Sequence, residues 1–388
     1  GVIQALEENE IPIDYVAGTS MGSIIAALYA AGYSPEEMRA IVDSGQVREW
    51  VSGRIDSRYA SYYRQMQDQP SMLTLRLNLR DEEKRSDAKN KSRLVLPSHL
   101  ISSSQIDLAL AELLTPASTA SGGDFDRLMV PFRCVASDLV ARKPYVLKTG
   151  DLGEAVRASM AIPLAFNPIE KDSMLLYDGG IYDNFPWKPL DEDFRPDLIV
   201  GSICTEGNTP PSEESNIMDQ AFMLAMHDTD YTLPEERSVT IRRAVGVNML
   251  DFDQAEAIMN AGYEDAVAAM PQLLEKVAER RDSAYYAGRR EAFRAKCPPL
   301  VFDDYKLEGL KRAQREYIRD FVQVDRRTPG YSPHSSVVQR ENDWYALGYT
   351  IWTLYNGGRH PHQTLIDGDD LSAVLAGGRP VAFEARAP

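Results

Sequence analysis

The pentapeptide Gly18-Thr19-Ser20-Met21-Gly22, together with its flanking residues, constrains the fold more than any other feature of the sequence. The apolar run before it, Ile13 to Ala17, has the length of a buried strand. The small and apolar residues after it, Ser23 to Ala31, predict a helix. A Gly-x-Ser-x-Gly sequence between a strand and a helix is typical of a nucleophile elbow, where the glycines let the chain turn sharply and the helix pack closely.

A serine at such an elbow points out of the core at a helix N-terminus, which stabilises developing negative charge. Serine is a weak nucleophile and needs a base within hydrogen-bonding reach. A second apolar run, Met174 to Tyr177, places Asp178 at its carboxyl end. If the two strands are parallel, Ser20 and Asp178 lie at the same edge of the sheet. Ser20 and Asp178 are therefore the candidate nucleophile and base, although Asp-Gly-Gly is also the sequence of an ordinary turn. The accompanying motif residues are Gly18, Gly22, Gly179 and Gly180.

The composition is that of a globular protein of two to three domains. The 388 residues include 42 Lys plus Arg and 58 Asp plus Glu, which gives a net charge of −16, so we expect no nucleic-acid partner. No run approaches the roughly 18 apolar residues of a membrane-spanning helix, and we expect any membrane contact of these residues to be peripheral. The cysteines Cys134, Cys204 and Cys297 have neither the number nor the spacing of a disulfide framework or a zinc site.

Alternating strand-like and helical segments favour an α/β layered core. The predicted strands after the elbow are Val130 to Ala136, Pro144 to Leu147, Met174 to Tyr177 and Leu198 to Ile203. The predicted helices among them are Ile106 to Leu114 and Leu152 to Met160, and a capping box at Asp253 and Glu256 predicts another helix to about Met270.

Three blocks follow each other along the chain: Ile11 to Gly22, Ala158 to Pro163, and Asp178-Gly179-Gly180 with Asn184-Phe185-Pro186. Through these blocks, in family order, about residues 1 to 285 resemble the patatin-like phospholipase family. The resemblance implies a three-layer α/β fold with a central, mostly parallel sheet. It also implies a Ser20 and Asp178 dyad that hydrolyses acyl esters of lipids through an acyl-enzyme, without a metal or cofactor. The expected partner is a lipid or a membrane-surface substrate.

The first residues predict that the chain is a fragment, because Gly1 to Leu6 open in the middle of a helix. In the resembling family, a Gly-rich loop just before this helix forms the oxyanion hole. No Gly-Gly-Gly-x-Arg-Gly stretch occurs in these 388 residues. We therefore expect the backbone N–H of Met21 to supply only part of the oxyanion stabilisation, and the residues as written to have little activity.

The sequence predicts three units: an acyl hydrolase domain over residues 1–285, a partial POTRA-like module over 286–322, and an unrelated tail over 323–388. Two segments, Phe252 to Tyr263 and Pro299 to Phe321, resemble bacterial family members in which such a module precedes an outer-membrane barrel. This resemblance implies a possible barrel segment in the full-length protein and an outer-membrane or secreted location. The small C-terminal piece is predicted to be α+β.

The tail resembles a protein-kinase C-lobe fragment over about residues 328–380, through Thr328 to Pro333 and Asp343 to Gly348. The motifs that hold ATP and metal in kinases are missing from the sequence, so we expect no kinase activity.

Two other functions stay open at this point. An α/β-hydrolase would use a Ser20, Asp178 and His227 triad, whose members follow each other in the chain order of that fold. A catalytically inert binding or assembly module would instead make protein contacts through residues 300–321. His360-Pro361-His362 lies in a Gly-rich segment and is not expected to bind a metal.

Overall fold

A computed structural model describes residues 1–52, 101–205, 225–244, 254–300, 304–307, 312 and 383–386. The helices are α1 Val2–Glu8, α2 Met21–Ala30, α3 Pro35–Asp43, α4 Gln46–Ser52, α5 Ser104–Ser121, α6 Leu152–Ser159, α7 Trp187–Phe194, α8 Ala255–Lys276 and α9 Ser283–Arg294. The strands are β1 Val16–Thr19, β2 Phe132–Asp138, β3 Lys143–Leu147, β4 Ile169–Lys171, β5 Met174–Asp178, β6 Ile199–Ile203, β7 Ser238–Arg242, β8 Asp304–Leu307 and β9 Phe383–Arg386.

The central sheet is organised around β2. Parallel pairing joins β1 to residues 132–135 of β2, and antiparallel pairing joins β5 to residues 136–138. The neighbouring strand β3 is antiparallel to residues 134–138 of β2, and β4 is antiparallel to β5. A further parallel pair consists of β6 and β7. The sheet is therefore mixed, with its parallel pairing at the strand that precedes Ser20.

Side chains of β2 alternate between the two faces of the sheet, as the period of a strand requires. Phe132, Cys134 and Ala136 face the larger apolar core, which also contains buried residues of α2, α5 and α6. On the other face, the Arg133 guanidinium lies over the ring of Phe194 in α7 and pairs with Asp126 and Asp193. Helices thus cover both faces of the sheet, and the predicted three-layer α/β fold is confirmed.

A smaller apolar cluster joins α1, α8 and β7. Its buried members include Leu6, Ile241 and Leu273, and Ile13 packs against both this cluster and the larger core. The segment that leads into β1 is therefore anchored on two sides.

The last long helix of the described residues, α9, crosses the predicted boundary at residue 285. Its buried side chains Tyr286 and Phe293 face the first unit, and the Tyr286 hydroxyl donates a 2.6 Å hydrogen bond to the carbonyl of Ile11. Further on, β8 pairs antiparallel with β9. Most of residues 301–388 lie outside the described residues, so the POTRA-like module, the kinase-like fragment and the division into three units stay predictions.

Among the helices of the described residues, none combines the length and the apolar character that crossing a bilayer requires.

Candidate active site

The site forms where two strands meet end to end on one edge of β2. Residues 134 and 135 of β2 pair with β3 and with β1, so β1 and β3 occupy opposite edges. Residues 136–138 pair with β3 and with β5, so β5 shares the edge that β1 occupies. Because β1 and β5 run toward each other along that edge, Ser20, just after β1, and Asp178, the last residue of β5, come together beside Ala136.

This arrangement corrects one step of the sequence analysis. The strand before Asp178 was expected to run parallel to the strand before Ser20, but β5 is antiparallel to β2 and therefore to β1. The two predicted catalytic residues still meet, because the carboxyl ends of two opposed strands on one edge face each other.

Ser20 lies at a sharp turn between β1 and α2. Its backbone has φ 53° and ψ −121°, a conformation that a non-glycine residue adopts only at a cost of about 1 to 3 kcal/mol. The side chain is half-buried, and its hydroxyl donates a 2.6 Å hydrogen bond to Oδ2 of Asp178. The local sequence therefore forms the elbow that the Gly-x-Ser-x-Gly pattern predicts.

Asp178 is 1% exposed, and both of its carboxylate oxygens have partners. Oδ2 accepts from the Ser20 hydroxyl, and Oδ1 accepts a 2.8 Å hydrogen bond from the backbone N–H of Gly180. Burial raises the pKa of Asp178 to about 6, although the hydrogen bonds from Ser20 and Gly180 act in the opposite direction. Such a carboxylate is ionised at neutral pH and is a better proton acceptor than an exposed aspartate.

The four motif glycines differ in how much space surrounds the position that a Cβ atom would occupy. A Cβ at Gly18 would lie 2.2 Å from the carbonyl oxygen of Gly22, and a Cβ at Gly179 would lie 2.1 Å from that of Val135. A Cβ at Gly180 would lie 3.0 Å from Oδ1 of Asp178. By contrast, apart from its chain neighbours and the backbone of its own helix, no described atom lies within 4 Å of a Cβ at Gly22. Close packing of the elbow therefore requires Gly18, whereas the described surroundings of Gly22 leave room for a Cβ.

Replacing Gly18 with Ala is expected to lower the free energy of unfolding by about 3 kcal/mol or more, because the added methyl group meets backbone atoms that cannot move aside. The matched Gly22→Ala variant is expected to be as stable as the wild type, or more stable by about 0.5 to 1 kcal/mol. Urea unfolding followed by circular dichroism measures both. Equal losses for the two variants would contradict the steric argument.

Ser159, the last residue of α6, is the site residue to which sequence analysis gave no role. Its hydroxyl oxygen accepts a 3.0 Å hydrogen bond from the backbone N–H of Ser20 and donates a 2.6 Å hydrogen bond to the carbonyl of Val135. The residue falls in the block Ala158 to Pro163 that carries part of the family resemblance, which is the one signal that could have drawn attention to it.

Met21 begins α2, and its side chain is 39% exposed. The first N–H groups of a helix have no acceptor within the helix, so they are available to an external negative charge. In α2, the N–H groups of Ser23 and Ile24 already donate to the carbonyl of Ser20. The geometry is thus compatible with an oxyanion contact from Met21.

The contacts of His227 are to Tyr182 and Ile181. It is exposed, its ring centroid lies 4.8 Å from that of Tyr182, and its backbone N–H donates to the carbonyl of Ile181. Within the part of the chain that the structure describes, its imidazole makes no hydrogen bond to Ser20 or Asp178. The structure therefore does not join His227, the third member of the alternative triad, to Ser20 or Asp178 by a hydrogen bond.

Over the same described residues, no group of three or more His, Cys, Asp or Glu side chains is arranged to hold a metal ion.

Comparison with known proteins agrees with this geometry. Residues 1–191, which contain both strand ends of the site, match the sequence profile of the patatin-like phospholipase family. These residues are therefore similar to patatin-like phospholipase domains.

Several curated proteins are similar to the same part of the chain. Uncharacterized NTE family proteins of Mycobacterium bovis and Mycobacterium tuberculosis are 30% identical over 215 residues, which cover 55% of this chain and 47% of theirs. The human patatin-like phospholipase domain-containing protein 6 is 30% identical over 189 residues, or 48% of this chain and 11% of its own. Lysophospholipase NTE1 of Cryptococcus neoformans is 25% identical over 227 residues, or 55% and 11%. The chain thus spans about half the length of the mycobacterial relatives and a smaller share of the others.

Proposed function

We propose that this protein is a lipid acyl hydrolase of the phospholipase A or esterase type, with Ser20 as nucleophile and Asp178 as general base. The observation that carries the proposal is the 2.6 Å hydrogen bond from the Ser20 hydroxyl to Asp178 Oδ2. A hydroxyl paired directly with a carboxylate has the base that a serine nucleophile needs. The family match over residues 1–191 and the relatives that are named as a phospholipase domain protein and a lysophospholipase support the substrate class.

In the proposed reaction, Oγ of Ser20 attacks the ester carbonyl carbon while Asp178 takes the hydroxyl proton. The carbonyl oxygen becomes an oxyanion beside the N-terminus of α2, where the Met21 N–H contributes stabilisation. Collapse of this intermediate breaks the bond to the leaving alcohol, to which Asp178 returns the proton. A water molecule, deprotonated by Asp178, then attacks the acyl carbon of the acyl-enzyme. The bond from that carbon to Ser20 Oγ breaks, Asp178 returns the proton to Oγ, and the fatty acid is released.

The raised pKa of Asp178 suits both halves of this cycle. With a pKa of about 6, the carboxylate is mostly ionised at neutral pH and can accept the Ser20 proton. When it is protonated, Asp178 is a stronger acid than the leaving alcohol, so it can protonate the departing alkoxide. A carboxylate with the ordinary pKa of an exposed aspartate would be a weaker base for the first step.

Fatty-acid release from phospholipid and lysophospholipid of the same acyl chain tests the proposal. The full-length protein is expected to release fatty acid from at least one of the two, and the Ser20→Ala variant from neither. A short water-soluble ester reports whether the chemistry works when the lipid is not accepted. A folded wild-type protein that hydrolyses none of the three substrates would contradict the proposed function.

Replacing His227 with Ala is expected to leave ester turnover close to that of the wild type, because the exposed imidazole contacts Tyr182 rather than the Ser20 and Asp178 pair. If His227 were the base of a triad, its loss would lower kcat by about 10⁴ or more. Steady-state hydrolysis of the short ester separates the two outcomes. A matched control is Asp228→Ala, which changes the neighbouring exposed residue.

A further inference from the structure

The hydrogen bonds of Ser159 point to a role for this residue that the sequence of its block, Ala158 to Pro163, does not reveal. We propose that Ser159 is a positioning residue, whose buried hydroxyl holds the backbone of Ser20 in its strained turn and so aims the Ser20 hydroxyl at substrate and base. The inference rests on the proposed function, because it concerns the nucleophile of that reaction. It does not place Ser159 in contact with substrate.

The hydroxyl of Ser159 joins the turn at Ser20 to strand β2. The side chain is fully buried at the end of α6, and its oxygen accepts the N–H of Ser20 while its proton goes to the carbonyl of Val135 in β2. A serine hydroxyl is both a donor and an acceptor, so a single atom can satisfy both backbone groups. Alanine could satisfy neither.

The conformation of Ser20 explains why such a bridge is needed. A residue at φ 53° with a side chain is held there only when its surroundings determine the turn. Besides the hydrogen bond from the Ser20 hydroxyl to Asp178, two further contacts tie this turn to its surroundings: Ser159 binds the Ser20 N–H, and the Thr19 hydroxyl donates a 2.9 Å hydrogen bond to the carbonyl of Asp183. Of these two contacts, only that of Ser159 acts on Ser20 itself.

A consequence concerns the oxyanion donors. The N–H of Ser20 is engaged by Ser159, so it is not available to a substrate oxygen. Donors from α2 must then come from residues after the nucleophile, beginning with Met21. The same hydroxyl of Ser159 thus positions the nucleophile and restricts which N–H groups can face the oxyanion.

The chain offers a matched control at the other end of α6. The hydroxyl of Ser118, which is also buried, accepts a 3.1 Å hydrogen bond from the backbone N–H of Leu152, the first residue of α6. Ser118→Ala therefore removes the same kind of hydrogen bond without touching the elbow. Ser159→Cys keeps the size of the side chain but supplies only a weak donor and acceptor, which separates a lost hydrogen bond from a cavity.

The experiment compares Ser159→Ala, Ser159→Cys and Ser118→Ala in the full-length protein. Both Ser159 variants are expected to lose about 10²-fold in kcat per folded molecule with little change in KM, since small misplacements of a reacting group have effects of this size. Ser118→Ala is expected to keep the wild-type kcat, although its melting temperature falls. Wild-type kcat in both Ser159 variants, or an equal loss in Ser118→Ala, would overturn the proposal.

A second measurement keeps this inference separate from the proposed function. Hydrogen exchange of the peptide that spans Ser20 should accelerate in both Ser159 variants and not in Ser118→Ala, whether or not the protein hydrolyses esters. Unchanged exchange at Ser20 would overturn the positioning role. An inactive wild type with accelerated exchange in the Ser159 variants would instead contradict the proposed function alone.

Discussion

Replacing Ser20 with Ala is expected to abolish ester hydrolysis by the full-length protein while leaving its fold intact. In the proposed mechanism the Ser20 hydroxyl forms the covalent bond to the acyl group, and loss of a serine nucleophile typically lowers kcat by about 10⁶. The hydroxyl is half-buried and lies at an open turn, so its removal leaves no apolar cavity in the core. Fatty-acid release and labelling by a fluorophosphonate probe measure the loss.

The variant also changes the electrostatics of the site in a defined direction. The hydrogen bond from Ser20 lowers the pKa of Asp178, so its loss is expected to raise that pKa further above its ordinary range. Ser44→Ala is a suitable control, because the Ser44 hydroxyl also donates a hydrogen bond, but to the backbone carbonyl of Ile41 at the end of α3. Residual turnover or probe labelling in purified Ser20→Ala close to that of the control would contradict the assignment of the nucleophile.

Local signals in the sequence predicted the elbow well. The strand expected over residues 13–17 is observed as Val16–Thr19, and the helix expected over residues 23–31 begins two residues earlier, at Met21. Both elements depend on neighbouring residues, whose apolar runs and glycines are visible in a short window. The separate roles of Gly18 and Gly22 could not be predicted, because they depend on which atoms the folded chain places beside each one.

The direction of β5 could not be derived from the sequence. A run of apolar residues predicts a strand but not its partner or direction, since pairing is decided by segments far apart in the chain. Asp178 pairs with Ala136, 42 residues earlier, in an antiparallel register. The role of Ser159 could not be derived from the sequence for the same reason. Its hydroxyl binds Ser20, which lies 139 residues earlier in the chain, and Val135, which lies 24 residues earlier.

Tertiary contacts also override local helix signals in α5. The sequence predicted that this helix ends at Leu114, two residues before Pro116, whereas the structure continues it to Ser121. A proline inside a helix costs about 3 kcal/mol. The residues after it recover stability through contacts that no short window contains: Ala117 is buried in the main core, and the Ser118 hydroxyl binds the first residue of α6.

Replacing Asp178 with Asn is expected to lower kcat by about 10² to 10⁴, the usual contribution of a general base. A carboxamide keeps the shape of the side chain, and its oxygen can still accept the N–H of Gly180. It cannot take the Ser20 proton at neutral pH. The wild-type kcat/KM is expected to fall as pH decreases through about 6, where Asp178 becomes protonated, and the residual activity of the Asn variant should lack this midpoint.

The raised pKa of Asp178 also predicts that Asp178→Asn, although it lowers activity, does not lower stability at pH 7. The pKa of Asp178 in the folded protein, about 6, lies above its ordinary value of 3.8, so the folded state binds this proton more tightly than the unfolded state. Ionisation of Asp178 therefore opposes folding fully above about pH 6, by about 3 kcal/mol, and this opposition disappears as pH falls below about 4. The Asn variant carries no such charge, and at pH 7 it is expected to be at least as stable as the wild type.

A nearby carboxylate gives the control that separates chemistry from general charge effects. Asp183 follows Asp178 by five residues, and its side chain accepts the backbone N–H of Phe185, a contact that Asn can also make. Asp183→Asn is expected to keep the midpoint near pH 6, because that midpoint belongs to the partner of Ser20. If Asp178→Asn acylated at the wild-type rate with a fluorophosphonate, or if the wild-type profile fell only near pH 4, Asp178 would not be the base. If the Asp178→Asn variant is less stable than the wild type at pH 7, the hydrogen bonds of the Asp178 carboxylate outweigh the cost of burying its charge.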